Sequence, residues 1–291
     1  MSDLIEIVSE RLSAAINPVG AELTHLRDAS GRELMTDADP AFWTGHAPIL
    51  FPVIGCVNNE VVHIDGVERA MPKHGFARHA PFTVVGQDEH RAVFRLAESS
   101  ETRAAWPFRF VLEFAFEISG ATLSIEARIG NPGDTAFPAS FGFHPAFAWP
   151  LPFGRTRADH RIVFDADEPA PLRRLTSDGL IAPEPRPSPV AGRTLPLADH
   201  LFTDDALIWD QLASRGLTYG ATDGPQLRIE FPDTPMLGVW TKPGAGFICV
   251  EPWHGIADPV GYAGEMADKP GVFEVPPGGE KHIAMRVTLT G

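Results

Sequence analysis

FRFVLEFAFEI, residues 108–118, puts Phe108, Phe110, Leu112, Phe114, Phe116 and Ile118 at every second position, with Arg109, Glu113 and Glu117 between them. A period of two over eleven residues fits a strand and not a helix, because successive strand side chains point to opposite faces. After a turn at Ser119-Gly120, Leu123, Ile125, Ala127 and Ile129 alternate with Ser124, Glu126 and Arg128, and Asn131-Pro132-Gly133-Asp134 turns the chain again. The pattern predicts an antiparallel meander with one buried face.

Working outward, short strands are expected at residues 4–8, 12–16, 61–64, 67–70, 161–164, 226–231, 236–241 and 282–288. Asp65-Gly66 gives a two-residue hairpin signal. Residues 202–212 suit a turn of helix, and the Pro-, Asp- and Arg-rich residues 150–200 suit long surface loops. The segment HAPILFPVIG, residues 46–55, is apolar but broken by Pro48 and Pro52, so it reads as a buried loop or edge segment. The 27 glycines and 28 prolines supply the turns that many short strands need. Strand signals run from end to end with no linker or repeat. The expectation is all-β: residues 1–291 as a single antiparallel β-sandwich.

The net charge of −14 disfavours nucleic acid or an anionic membrane as partner. No basic region followed by an apolar run opens the chain, and no segment has 18 uninterrupted apolar residues, so a cytoplasmic protein is expected. Cys56 and Cys249 each lie in an apolar stretch and read as buried free thiols.

Four constellations could do chemistry. GFICVEPWHGIAD, residues 246–258, runs an apolar strand into Glu251, and Pro252 with Gly255 is expected to end that strand just after it. A carboxylate losing hydration there gains basicity. PKHGFAR holds His74 and Arg78, FGFHP holds His144 beside Phe143, and Asp204-Asp205 precede Ala206-Leu207-Ile208-Trp209. Plainer readings stand beside these: a strand-end Glu251, a loop His74, a core His144, a helix cap at Asp204 and Asp205, and a surface ion pair for Arg78. No HxxxH and no closely spaced Cys/His cluster is present, so no metal site is expected.

Taken in order, HAPILFPVIG, PKHGFAR, FGFHPAF, FTDDALIW, CVEPWHGIAD and PPGGE resemble the aldose 1-epimerase (galactose mutarotase-like) family, nearest its LacX-type branch, from about residue 17 to the C-terminus. The resemblance implies a large antiparallel β-supersandwich that interconverts sugar anomers without metal or cofactor, as monomer or homodimer. It implies Glu251 as general base and His144 as general acid. His74 would contact the sugar near its ring oxygen, Asp205 (or Asp204) would hold hydroxyls, and Arg78 would be a further hydroxyl or carboxylate contact. One departure stands out: relatives often carry arginine after the glycine of the FPxxG segment, and here that position is Cys56.

Mutarotation removes a proton from the anomeric hydroxyl while delivering one to the ring oxygen, chemistry that suits a carboxylate and an imidazole. Trp253 and Phe143 offer flat apolar faces to a pyranose or to the core. The alternatives are a hexose-6-phosphate mutarotase, a non-catalytic sugar-binding protein on the same fold, and a glycosidase using Glu251 and Asp205 as paired carboxylates.

Overall fold

In the computed structural model, which describes residues 4–291, the decisive stretch forms a strand at Val111–Ser119 paired antiparallel with Thr122–Gly130. The strand starts three residues later than the alternation suggests. Phe108 and Phe110 are buried but sit outside the ladder, edge-on against Trp106 at 5.1 and 5.4 Å. Thr122–Gly130 also pairs with Glu280–Thr290. Register then stacks Phe114, Ala127 and Ile283 in one row, and Phe116, Ile125 and Met285 in the next. Each large apolar side chain buried in those rows contributes about 1.5–3 kcal/mol. On the opposite face Glu113 lies between Arg95 and Arg128, which both pair with its carboxylate.

These strands are the middle of a nine-stranded antiparallel sheet that runs from Thr194–Pro196 at one edge to Thr83–Gln87 at the other. A second, antiparallel sheet contains Leu207–Trp209, Met236–Trp240, Phe247–His254, Phe141–Phe143 and Ile49–Leu50 in that order, with Ala146–Ala148 also pairing with Phe247–His254. One apolar core joins the two sheets, and Phe114 of the first stacks on Phe141 of the second at 5.9 Å. Smaller sheets at Ile5–Val8, Leu12–Asn17 and Glu22–Asp28, at Val61–Ile64 with Val67–Ala70, and at Phe137–Ala139 with Phe273–Val275 complete the β-structure.

Two local expectations are corrected, and one short helix is additional to them. Residues 202–212 hold no α-helix: a 3₁₀ turn, Asp199–Phe202, comes before the strand Leu207–Trp209. A short helix at Ser100–Ala105 instead follows Ser99, whose side chain forms a capping box with Thr102. The strand holding Glu251 does not end there but continues through Pro252 and Trp253 to His254. Val250 N–H bonds to Pro145 O, so two residues later the missing N–H of Pro252 faces the same side. On that side pairing switches from Ala146–Ala148, which ends at Cys249, to Phe141–Phe143, which begins at Trp253. The proline costs no ladder bond because it sits at this gap.

Candidate active site

The two faces of Phe247–His254 explain its unbroken apolar run. Ile248 and Val250 enter the core between the sheets, while Phe247, Cys249 and Trp253 belong to smaller clusters on the other face. Glu251 shares that second face and is 2 % exposed. The ladder gap beside Pro252 is filled by His144-Pro145, which separates Phe141–Phe143 from Ala146–Ala148. His144 Nε2 reaches Glu251 Oε2 at 3.1 Å. Residues 107 positions apart in the chain thus meet in one pocket of about 190 Å³.

Burial pushes the Glu251 carboxyl up, the nearby Asp205 adds to that, and Lys73 opposes it. Burial also pushes the His144 imidazolium down, to about 3. Both shifts favour a pair holding one proton between them, not a stable ion pair. His144 Nδ1 finds no hydrogen-bond partner on another residue. Trp43 lies 5.1 Å from the imidazole and Trp240 6.0 Å.

His74 stands edge-on to His144 at 5.9 Å. Its Nδ1 accepts from Gly55 N–H at 3.0 Å, and burial holds the ring neutral. A neutral ring accepting at Nδ1 carries its proton at Nε2, leaving Nε2–H as a donor. Arg78 lines the same pocket; its Nε is buried and unpartnered. Asp205 lines it too, held with φ 66° in a turn whose carbonyls, those of Asp205 and Ala206 included, accept from Arg174.

The structure therefore brings Glu251, His144, His74, Arg78, Asp205 and Trp253 together. Asp204 is placed elsewhere, in an adjoining outer groove with Arg174, Arg186 and Lys242. Phe143 is a correction: it is 1 % exposed and packs at 4.9 Å on Phe141 in the core. Neighbours in a strand face opposite ways, so a pocket-facing His144 sends Phe143 inward. Trp253 lies against Gly142 and Gly238, where a Cβ would stand 2.5 and 2.6 Å from its indole. It lines the pocket, and its Nε1–H is buried without a protein partner.

Sequence reasoning missed Trp43, Trp240, Lys73, and Leu175 with Gly179 from the long loop region. Lys73 lies inside PKHGFAR, and a lone Trp43 in a polar, turn-rich stretch was the one signal for the aromatic wall. Cys56, at the position where relatives often carry arginine, is not a pocket residue; its Sγ packs on Gly179. Lys73 and Arg78 are the cations lining the pocket, and no carboxylate lies within 4 Å of either among the described residues.

Residues 3–269 match the model of a family described as aldose 1-epimerase. The plasmid-borne protein LacX of Lactococcus lactis subsp. lactis is 31% identical over 283 residues, covering 94% of this chain and 95% of that one. The structure of a galactose mutarotase-like protein from Lactobacillus casei superposes with a TM-score of 0.91 at 27% identity, covering 99% of this chain and 100% of that one. A galactose mutarotase-related enzyme from Lactobacillus acidophilus gives 0.90 at 26% identity, with 99% and 98% covered.

Proposed function

The chain belongs to the aldose 1-epimerase family, and from that premise we propose that it interconverts the α and β anomers of a free hexose by acid–base ring opening and closure. The observation carrying the proposal is the 3.1 Å contact between Glu251 and His144 inside the pocket. With the sugar seated, Glu251 takes the proton of the anomeric hydroxyl and His144 gives one to the ring oxygen. The C1–ring-oxygen bond breaks as the C1 carbonyl forms. The pair still holds one proton, now on the carboxyl. Rotation about C1–C2 presents the other carbonyl face; the ring hydroxyl then adds to C1, its proton returns to His144, and Glu251 returns its proton to O1. Nothing is consumed, and each member alternates between acid and base.

The opposed shifts suit this exchange. Raising the Glu251 pKa makes its carboxylate a stronger base, and lowering that of His144 makes its imidazolium a stronger acid. The His74 Nε2–H, Arg78, Asp205 and the Trp253 Nε1–H are the groups that orient hydroxyls. Polarimetry of freshly dissolved α-glucose and α-galactose tests the proposal: equilibration should speed up in proportion to protein, and a rate equal to buffer alone for every neutral aldose overturns it.

A second reading, a hexose carrying an anionic group such as a 6-phosphate, is favoured by Lys73 and Arg78, cations within the pocket without a carboxylate partner. Comparing kcat/KM on glucose and glucose 6-phosphate separates the two. Preference for the phosphorylated sugar, lost in Lys73→Ala, selects the second.

A further inference from the structure

Glu251 has a neighbour that proton transfer does not use. Cys249 precedes it by two residues on the same strand face and is fully buried behind it, against the Trp43 and Trp240 side chains. The ligand atoms of His144, Cys249 and Glu251 all lie within 4.8 Å of one another. We propose that these three side chains form a latent site for a thiophilic divalent cation, Zn²⁺ or Cd²⁺, whose occupation blocks the sugar pocket.

One imidazole nitrogen, one sulfur and one carboxylate oxygen are the donors that a four-coordinate Zn²⁺ takes, at about 2.0–2.3 Å each. Ligands at those distances stand about 3.5 Å apart, so side-chain rotations on the order of 1 Å close the present triangle. The hard cations Mg²⁺ and Ca²⁺ prefer all-oxygen sites and are poor matches for a thiol and an imidazole. Three protein ligands leave a fourth position, which faces the pocket because His144 and Glu251 both line it. Water fills that position, and the pocket is the ion's entry path. Binding displaces the thiol proton and the proton shared by the pair to solvent. Thiolate, carboxylate and neutral imidazole then carry a charge of −2, which the cation neutralises in a buried site. Sequence spacing hid this cluster because His144 arrives from a distant segment.

The inhibitory consequence rests on the proposed acid–base reading; binding itself does not. The experiment therefore has two readouts on chelator-treated protein, both in a Cys56→Ala background so that Cys249 is the sole thiol. In the first, Co²⁺ is the probe: a sulfur-to-cobalt charge-transfer band is expected, absent in Cys249→Ala and needing at least tenfold more Co²⁺ in His144→Ala. In the second, Zn²⁺ should inhibit anomer exchange reversibly by EDTA, with Cys249→Ala keeping basal activity but needing at least tenfold more Zn²⁺ for half-inhibition. No cobalt–thiolate band, or one surviving in Cys249→Ala, overturns the site. Equal Zn²⁺ sensitivity of both proteins overturns the inhibition. If no sugar is turned over, the cobalt band still decides the site while the functional reading fails separately.

Discussion

Glu251→Gln isolates the proton that the proposed cycle moves. Glutamine keeps the volume of the buried side chain, and its amide N–H can still donate to His144 Nε2 across the 3.1 Å gap. It cannot accept the O1 proton. Positioned acid–base groups contribute about 10²–10⁴-fold. Because the two members exchange one proton, losing either disables both transfers. We expect kcat to fall about 10³–10⁴-fold, a barrier increase of about 4–5 kcal/mol at 1.36 kcal/mol per decade, with a smaller change in KM. The same variant makes a stability prediction. The Glu251 carboxyl has an ordinary value of 4.5 and is held well above it in the folded chain. As pH rises past about 4.5, the unfolded chain releases a proton that the folded chain keeps, so this site costs the wild type stability progressively. Glutamine has no proton to release, so the variant's Tm relative to wild type should increase from about pH 4 to about pH 8. Polarimetry on a fresh α-anomer and thermal melts at both pH values are the assays. A glutamine variant keeping more than about a tenth of wild-type kcat, with a Tm difference that ignores pH, would refute the reasoning.

Burial pushes both His74 and His144 below the ordinary 6.5, so neither changes charge as an ordinary histidine would near that pH and kcat/KM should stay flat within about twofold from about pH 5.5 to 7.5; an acid limb centred near 6.5 would count against this. Trp253→Phe removes an indole N–H that has no protein partner, so KM should rise about fivefold at near-constant kcat, as the loss of a hydrogen bond worth about 1 kcal/mol requires; an unchanged KM would show that this N–H does not touch the sugar. Gly238→Ala puts a Cβ 2.6 Å from the Trp253 ring and should cost about 1–3 kcal/mol, read as a lower Tm together with a higher KM; a wild-type Tm would mean that the indole is free to move.

The fold was legible because period two is a local signal. In residues 108–129 it marks the buried face directly, and the hairpin at Val61–Ile64 and Val67–Ala70 follows from Asp65-Gly66. The strand beyond Glu251 was misread for the opposite reason. Proline is a breaker only where its missing N–H is needed, and a switch of partner strand is a tertiary fact. The motif residues Glu251, His144, His74, Arg78 and Asp205 were visible by type and order. The pocket's aromatic wall was not, since Trp43 and Trp240 come from stretches without chemistry of their own. Phe143 and His144 show the limit most simply: adjacent residues, both plausible sugar contacts, of which the pleat turns one to the core. Asp204 and Asp205 differ as well: both line the outer groove, and Asp205 alone of the two also lines the pocket.

The central claim is that one proton, passed between Glu251 and His144, turns one anomer into the other. Magnetisation-transfer NMR at anomeric equilibrium tests it most directly, on wild type and on Glu251→Gln, with neutral and phosphorylated aldoses. Saturating the α H1 signal should attenuate the β H1 signal at a rate proportional to wild-type protein, and the glutamine variant should return that rate to the buffer value. Sugar binding detected by calorimetry, with no protein-dependent transfer for any sugar, would contradict the account and leave a binding protein in its place.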